Sequence, residues 1–229
     1  MSTLDGKVAL VSGAGRGIGR AIALKLADQS ARLGVNGLDP ERAEETTRLI
    51  ESAGGDAVAV IGSVTDNGFT ERFVQAAVDS YDGVDIVVNN AGHTWDSVIQ
   101  KLTDEQWDLI LDVHLRSPFR ILRAVRPVMS ARAKHERARG VRVHRKNVNV
   151  SSGTGVGGNA GQVNYAAAKA GRGNRIDCSR SRGQTTTRAA AARSCWSPPV
   201  PHRPTRTGRT VLFPRWSARI HPRRPGWCW

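Results

Sequence analysis

The chain has 229 residues and a mass of 24.7 kDa, enough for one domain with a substantial core. It holds no long uninterrupted apolar run, and Met1–Gly6 lacks the basic and apolar regions of a signal peptide, so the chain reads as soluble and cytoplasmic, with no membrane partner. The net charge of +14 would point to nucleic acid, but residues 1–171 hold 21 basic against 19 acidic residues, whereas residues 172–229 hold 13 arginines against Asp177 alone.

In chain order, short apolar runs alternate with longer amphipathic ones, the pattern of βαβ units building a parallel sheet. The expected strands are Val8–Val11, Arg32–Asn36, Ala57–Ile61, Ile86–Asn89 and Val148–Val150. The expected helices are Arg20–Ala27, Pro40–Ala53, Asn67–Ser80, Thr103–His114 and Pro118 to about Arg137. Pro40 suits a first helical turn, and Thr103 with Gln106 has the form of a capping box. The fold class expected is α/β, a doubly wound parallel sheet of Rossmann type. Such a sheet binds its ligand beyond the carboxyl ends of the strands.

The first strand runs into Ser12-Gly-Ala-Gly-Arg-Gly-Ile-Gly19 and then into a helix. Gly13 permits a tight turn, the small residues let the backbone approach a pyrophosphate, and Gly19 allows close packing of helix and strand. The helix N-terminus, with Arg16 and Ile18 beside it, presents free N–H groups to phosphate. The fourth strand ends in Asn89-Asn90-Ala91-Gly92, which taken alone is simply a good turn. Farther on, Tyr165 and Lys169 stand four apart, so on a helix they share a face, and an ammonium beside a phenol lowers the phenol's affinity for its proton. Taken alone that pair is an ordinary surface pair. Ser152, thirteen residues before Tyr165 and at the end of the fifth strand, can hydrogen-bond the same substrate oxygen.

Together these motifs resemble the short-chain dehydrogenase/reductase family, and the string from Gly158 to Gly171 is similar to its 3-oxoacyl-(acyl-carrier-protein) reductase branch and to related alcohol and hydroxysteroid dehydrogenases. The resemblance implies an NAD(P)-dependent oxidoreductase acting on a small carbonyl or alcohol substrate, in a family that is usually homo-oligomeric. It implies Ser152, Tyr165 and Lys169 as catalytic residues, with Tyr165 and Lys169 also touching the cofactor. It implies Gly13, Arg16, Gly17, Ile18, Gly19, Asn90 and the Ser63–Val64 pair as cofactor-binding. His114 falls where many members carry a catalytic asparagine; it reads either as a link in a water relay or as a packed, neutral helix residue. Gly37 falls where NAD-using members place an acid, with Asp39 two residues later, and Arg16 can pair with a 2′-phosphate, which gives a slight lean to NADP.

The resemblance stops at about Gly171. All three cysteines, seven of ten prolines and four of six tryptophans lie beyond it, and the periodicity is lost. Apart from Val211–Phe213 no run there reads as a strand. The chain therefore divides into a dinucleotide-binding domain, 1–171, and a tail, 172–229, whose Arg, Pro, Ser and Trp content is that of a GC-rich coding region read out of frame and which is expected to be disordered. The rival readings are an arginine-rich arm on nucleic acid, which lacks the periodicity of a folded reader, and a cofactor-binding protein without catalysis.

Overall fold

The structure, a computed structural model, describes residues 2–141, 144–173 and 185–191, all within one compact unit, Met1–Ser194. Each expected strand is present: β1 (Val8–Val11), β2 (Arg32–Gly37), β3 (Ala57–Ile61), β4 (Ile86–Asn89) and β5 (Arg145–Ser151). They form one parallel sheet in the order β3-β2-β1-β4-β5, so the strand order reverses between β1 and β4. That reversal opens the crevice at the carboxyl ends of the strands.

The sheet is buried on both faces, and β1 shows why its sequence has no polar alternation. Val8 and Leu10 face a core built with Phe69, Phe73, Ile121 and Val125, whereas Ala9 and Val11 face one built with Ala23, Leu33 and Ile50. The first core lies under α3 (Phe69–Tyr81) and α5 (Ser117–Ala138), the second under α1 (Gly17–Asp28) and α2 (Pro40–Ser52). Pro40 occupies the first turn of α2. Thr103 and Gln106 form the expected capping box on α4 (Asp104–Leu111), with Thr103 Oγ1 accepting from Gln106 N at 3.3 Å and Gln106 Oε1 accepting from Thr103 N at 3.2 Å.

Three elements differ from the sequence reading. The helix expected over Thr103–His114 ends at Leu111, and a π-helical turn, Asp112–Arg116, follows. There the backbone carbonyl of Asp112 also accepts from the Ser117 hydroxyl at 2.8 Å. β5 begins three residues earlier than the apolar run because Arg145 and Asn147 face inward in place of hydrophobic residues. The tail supplies a sixth strand, β6 (Thr185–Ala191), parallel to β5 and in register from Arg145↔Thr185 to Ser151↔Ala191. Its Thr-Thr-Thr-Arg-Ala-Ala-Ala sequence has no apolar run; the ladder on the edge of β5 defines it, and a ladder is made by backbone groups. The Val211–Phe213 run lies outside the described residues. No helix among the described residues is long and apolar enough to cross a membrane.

Arg145 is tied down by acids. Its guanidinium donates to both carboxylate oxygens of Glu136 at 2.8 and 2.9 Å and lies 3.7 Å from buried Asp85, whose other oxygen accepts from the amide of Val8 at 3.2 Å. Burial alone would raise the Glu136 pKa; hydrogen bonds and charge from Arg145, with Arg132 and Lys7, more than offset this and hold it below the usual value. The stability it contributes is present above the unfolded carboxylate pKa and is lost as pH falls through the lower folded value. Arg145→Ala strips both acids of their partner and is expected to cost about 3–5 kcal/mol in urea unfolding. A loss below about 1 kcal/mol would remove the network from the account of stability.

Candidate functional site

The glycine turn between β1 and α1 is knotted to the end of β4 by polar groups. The buried Ser12 hydroxyl accepts from the amides of Asn90 at 3.0 Å and Ala91 at 3.1 Å. In return Asn90 Nδ2 donates to the carbonyls of Ser12 and Gly13, both at 3.1 Å. The two chains approach so closely that a Cβ on Gly13, whose φ is +65°, would lie 2.7 Å from Ala91 Cα. A Cβ on Gly19 would collide with the Gly13 carbonyl and the Asn90 amide, so Gly19 is packed on the turn itself. Gly17 differs: nothing lies within 4 Å of a Cβ there, and its φ of +56° is what requires glycine.

Two residues that the sequence reading passed over complete this knot. Asn36, buried at the end of β2, accepts from Gly13 N at 3.1 Å and donates to the carbonyls of Val60 at 3.1 Å and Gly62 at 3.0 Å. Arg20 donates to the Gly15 carbonyl at 3.1 and 2.6 Å and reaches Thr46 and Glu45 on α2. With the turn held on all sides, α1 starts at Gly17 with no side chain capping it, and Arg16, Gly17 and Ile18 are exposed beside its open N–H groups. A helix end in that state favours an anion.

Around this turn the remaining expected contacts have definite places. Gly37 packs against α2, where a Cβ would lie 2.8 Å from Ala43 Cβ. Asp39 caps α2, accepting from Arg42 N at 3.5 Å and pairing with the Arg42 guanidinium at 3.1 Å, so its carboxylate is occupied. Ser63 turns inward on its own loop, its hydroxyl 2.7 Å from that of Thr65, and the Val64 side chain belongs to the α3/α5 core.

Tyr165 and Lys169 lie on α7 (Val163–Gly173) as the spacing required. Lys169 is 3% exposed; its ammonium donates to the Val150 carbonyl at 2.8 Å and sits 5.4 Å from the centre of the Tyr165 ring. Burial, with the neighbouring charge of Arg172, lowers its pKa to about 7. The Tyr165 hydroxyl has no hydrogen-bond partner among the described residues. Ser152 follows β5, and its oxygen accepts from Thr154 N at 3.2 Å, which leaves the hydroxyl proton free to donate. The one-turn helix α6 (Thr154–Gly157) presses on α7: a Cβ on Gly155 would lie 2.6 Å from the Lys169 carbonyl carbon. Ser151 donates to the Lys169 carbonyl at 3.1 Å, which ties the end of β5 to the same helix.

His114 is buried in the π turn. Its Nε2 donates to the His93 carbonyl at 2.6 Å, its ring meets Tyr165 edge-on at 5.0 Å and 89°, and its Nδ1 is buried with no hydrogen-bond partner among the described residues. Gly92 is required beneath it, since a Cβ there would strike the imidazole. Burial first, then the charge of Lys169, push its pKa down to about 3. Between about 3 and the ordinary value of 6.5 the unfolded chain binds a proton that the folded chain refuses, so this residue makes stability rise with pH over that window.

Arg172 was expected to lie in the tail, beyond the folded domain. It belongs to α7, is 1% exposed, and donates from Nη2 to the Asn89 carbonyl. Its Nε and Nη1 are buried with no hydrogen-bond partner among the described residues, and burial lowers its pKa to about 10. A buried cation without an acid is strongly unfavourable, and here it lies beside a second one, Lys169. Between about pH 7 and 10.5 the unfolded Lys169 holds a proton that the folded one lacks, so stability rises with pH there. Arg172→Leu is expected to raise the unfolding free energy by about 1–4 kcal/mol and to flatten that rise. Urea titrations across the window check it, and a less stable variant would contradict it.

Comparison with known proteins agrees with this geometry. The sequence profile described as short chain dehydrogenase matches residues 7–179, a little past the break at Gly171. Hydroxyacyl-CoA dehydrogenase ChsB1 of Mycobacterium tuberculosis is 42% identical over 173 residues, 73% of this chain and 54% of that protein. The 3-oxoacyl-(acyl-carrier-protein) reductase FabG of Staphylococcus aureus is 35% identical over 166 residues, 72% of this chain and 63% of the relative. A crystal structure of a short chain dehydrogenase from Mycobacterium avium superposes with a TM-score of 0.67 at 36% identity, covering 75% of this chain and 61% of the other. The chain thus spans between half and two thirds of the length of these relatives. With the parallel sheet, the knotted glycine turn and a profile match across most of its length, the chain belongs to the short-chain dehydrogenase family.

Proposed function

We propose that this chain is an NAD(P)-dependent oxidoreductase in which Tyr165 exchanges a proton with the oxygen of a carbonyl or secondary alcohol. One observation carries the reading: the Tyr165 phenol stands next to the buried ammonium of Lys169 on one helical face. The residues present fit a dinucleotide. The open α1 N-terminus suits its pyrophosphate, and the free space in front of Gly17 admits the close approach of a ligand. When bound, the nicotinamide supplies or accepts the hydride. Gly13, Gly17, Gly19 and Asn90 hold the turn that receives it, with Arg16 and Ile18 at its rim, and the backbone of Ser63 and Val64 borders the adenosine side.

Within that frame each side chain has a task. Tyr165 donates its proton to the carbonyl oxygen as the alcohol forms and takes it back in the reverse direction. Ser152 donates a hydrogen bond to the same oxygen, and Lys169 supplies positive charge beside the phenol and a donor for ribose hydroxyls. His114 fixes the Tyr165 ring from its edge. The branch similarity and the printed names of the relatives support a 3-oxoacyl or hydroxyacyl thioester as substrate. Glycine at position 37, the occupied carboxylate of Asp39 and the exposed Arg16 support NADP over NAD. The composition break and the burial of Arg172 support reading the sequence beyond Gly171 as foreign to the original fold.

The test is reduction of acetoacetyl-CoA by the purified full chain, followed by loss of NADPH absorbance. Tyr165→Phe is expected to lower kcat by about 10²–10⁴-fold. A variant as active as the parent would end the assignment of Tyr165. A larger thermal shift with NADPH than with NADH is expected, and equal or reversed shifts would overturn the NADP assignment.

A further inference from the structure

The segment 93–101, between β4 and α4, is gripped from two sides by residues that also hold Tyr165. On one side His114 donates to the His93 carbonyl while its ring lies edge-on to Tyr165. On the other side stands Asn164, 0% exposed. Its Nδ2 donates to the Trp95 carbonyl at 3.3 Å and the Gln106 carbonyl at 3.5 Å, and its Oδ1 accepts from the backbone amide of Tyr165 at 2.7 Å. Two further ties close the same seam: Ser97 N donates to the Gly161 carbonyl at 2.8 Å, and Gln162 donates to both carboxylate oxygens of Asp96 at 3.0 Å.

We propose that Asn164 is a positioning residue, coupling the 93–101 segment to Tyr165 so that a substrate held against the segment sets the place of the phenol. The proposal rests on the reading of Tyr165 as the proton donor. The amide of Tyr165 lies in the first turn of α7, where no carbonyl of the helix can reach it, so its partner must come from a side chain. Asparagine places a donor and an acceptor in one rigid plane. With the donors anchored on two carbonyls of the 93–106 stretch and the acceptor on Tyr165, movement of the segment turns the plane and carries the first turn of α7 with it. The segment has the surface such a role needs: Trp95, Val98 and Ile99 are exposed large apolar side chains beside the seam, suited to the apolar part of an acyl substrate.

The coupling is tested in the full chain with three variants, acetoacetyl-CoA and NADPH. Asn164→Asp keeps the acceptor for Tyr165 N and loses both donors, and Asn164→Ala loses all three bonds. Asp96→Ala cuts a tie on the same segment that does not reach Tyr165. Both Asn164 variants are expected to lower kcat on the order of 10–100-fold with KM close to the parent, as small misplacements of a reacting group do. Asp96→Ala is expected to leave kcat close to the parent. Parental kcat in the Asn164 variants, or equal losses in Asn164→Asp and Asp96→Ala, would overturn the proposal.

Hydrogen exchange on the unsubstituted chain gives an independent reading if the Asn164 variants do not fold. Acetoacetyl-CoA with NADPH is expected to slow exchange in 95–106 and 163–166 together, and protection confined to one stretch would overturn the coupling. A parent chain without reductase activity would end the functional reading of Tyr165, while joint or separate protection of the two stretches would still decide whether Asn164 links them.

Discussion

The hydroxyl of Ser12 accepting two backbone amides from the end of β4 is the interaction on which the rest of the site depends. Neighbouring parallel strands separate where their loops leave the sheet, and a polar turn buried there must find partners for its backbone groups. The Ser12 hydroxyl and the Asn90 side chain make four hydrogen bonds between the ends of β1 and β4, and Asn36 adds three that reach the glycine turn and the end of β3. The glycines permit this closeness and do not produce it. Gly13 and Gly19 remove the Cβ atoms that would stand between the turn and Asn90, and the resulting rigidity leaves the α1 N-terminus open and aimed at the crevice. Binding an anion there needs little rearrangement, which is the advantage of a site formed in advance.

Two buried charge clusters show opposite solutions. At the amino ends of the strands Arg145 lies between Glu136 and Asp85, so its desolvation is offset by two acids. At the carboxyl ends Lys169 and Arg172 lie together with only carbonyl partners among the described residues, and neutral His114 is next to them. A lysine of depressed pKa beside a tyrosine is the arrangement on which the proposed proton transfer by Tyr165 rests. Arg172 is a second buried cation on α7, the helix that carries both Tyr165 and Lys169. Arg172 is the first residue after the break in composition, yet it lies within α7 and is buried.

The legible parts of the fold were those with periodic apolar burial. β1, β3 and β4 carry unbroken apolar runs, and Pro40 and Thr103 announce the helices they start. The hidden parts are held by polar groups whose partners lie far away in sequence. Asn36 sits in a run of β2 residues with no local sign that it binds Gly13, and Asn164 looks like any residue beside Tyr165 until the 93–101 segment is placed against it. β6 escaped because a strand defined by its neighbour's ladder needs no apolar pattern of its own. The π turn around His114 gave no signal either, since it continues a helix without any glycine or proline. His114 itself was readable only as two alternatives, and its tie to the His93 carbonyl depends on a segment far away in sequence.

The proposed dinucleotide cradle depends on the Ser12 clasp, and calorimetric titration with NADPH tests this most directly. The parent chain and Ser12→Thr, which keeps the hydroxyl, should bind NADPH at one site per chain. Ser12→Ala should bind about tenfold more weakly or worse, because two buried amides lose their acceptor. Equal affinity in Ser12→Ala, or no binding by the parent, would contradict it.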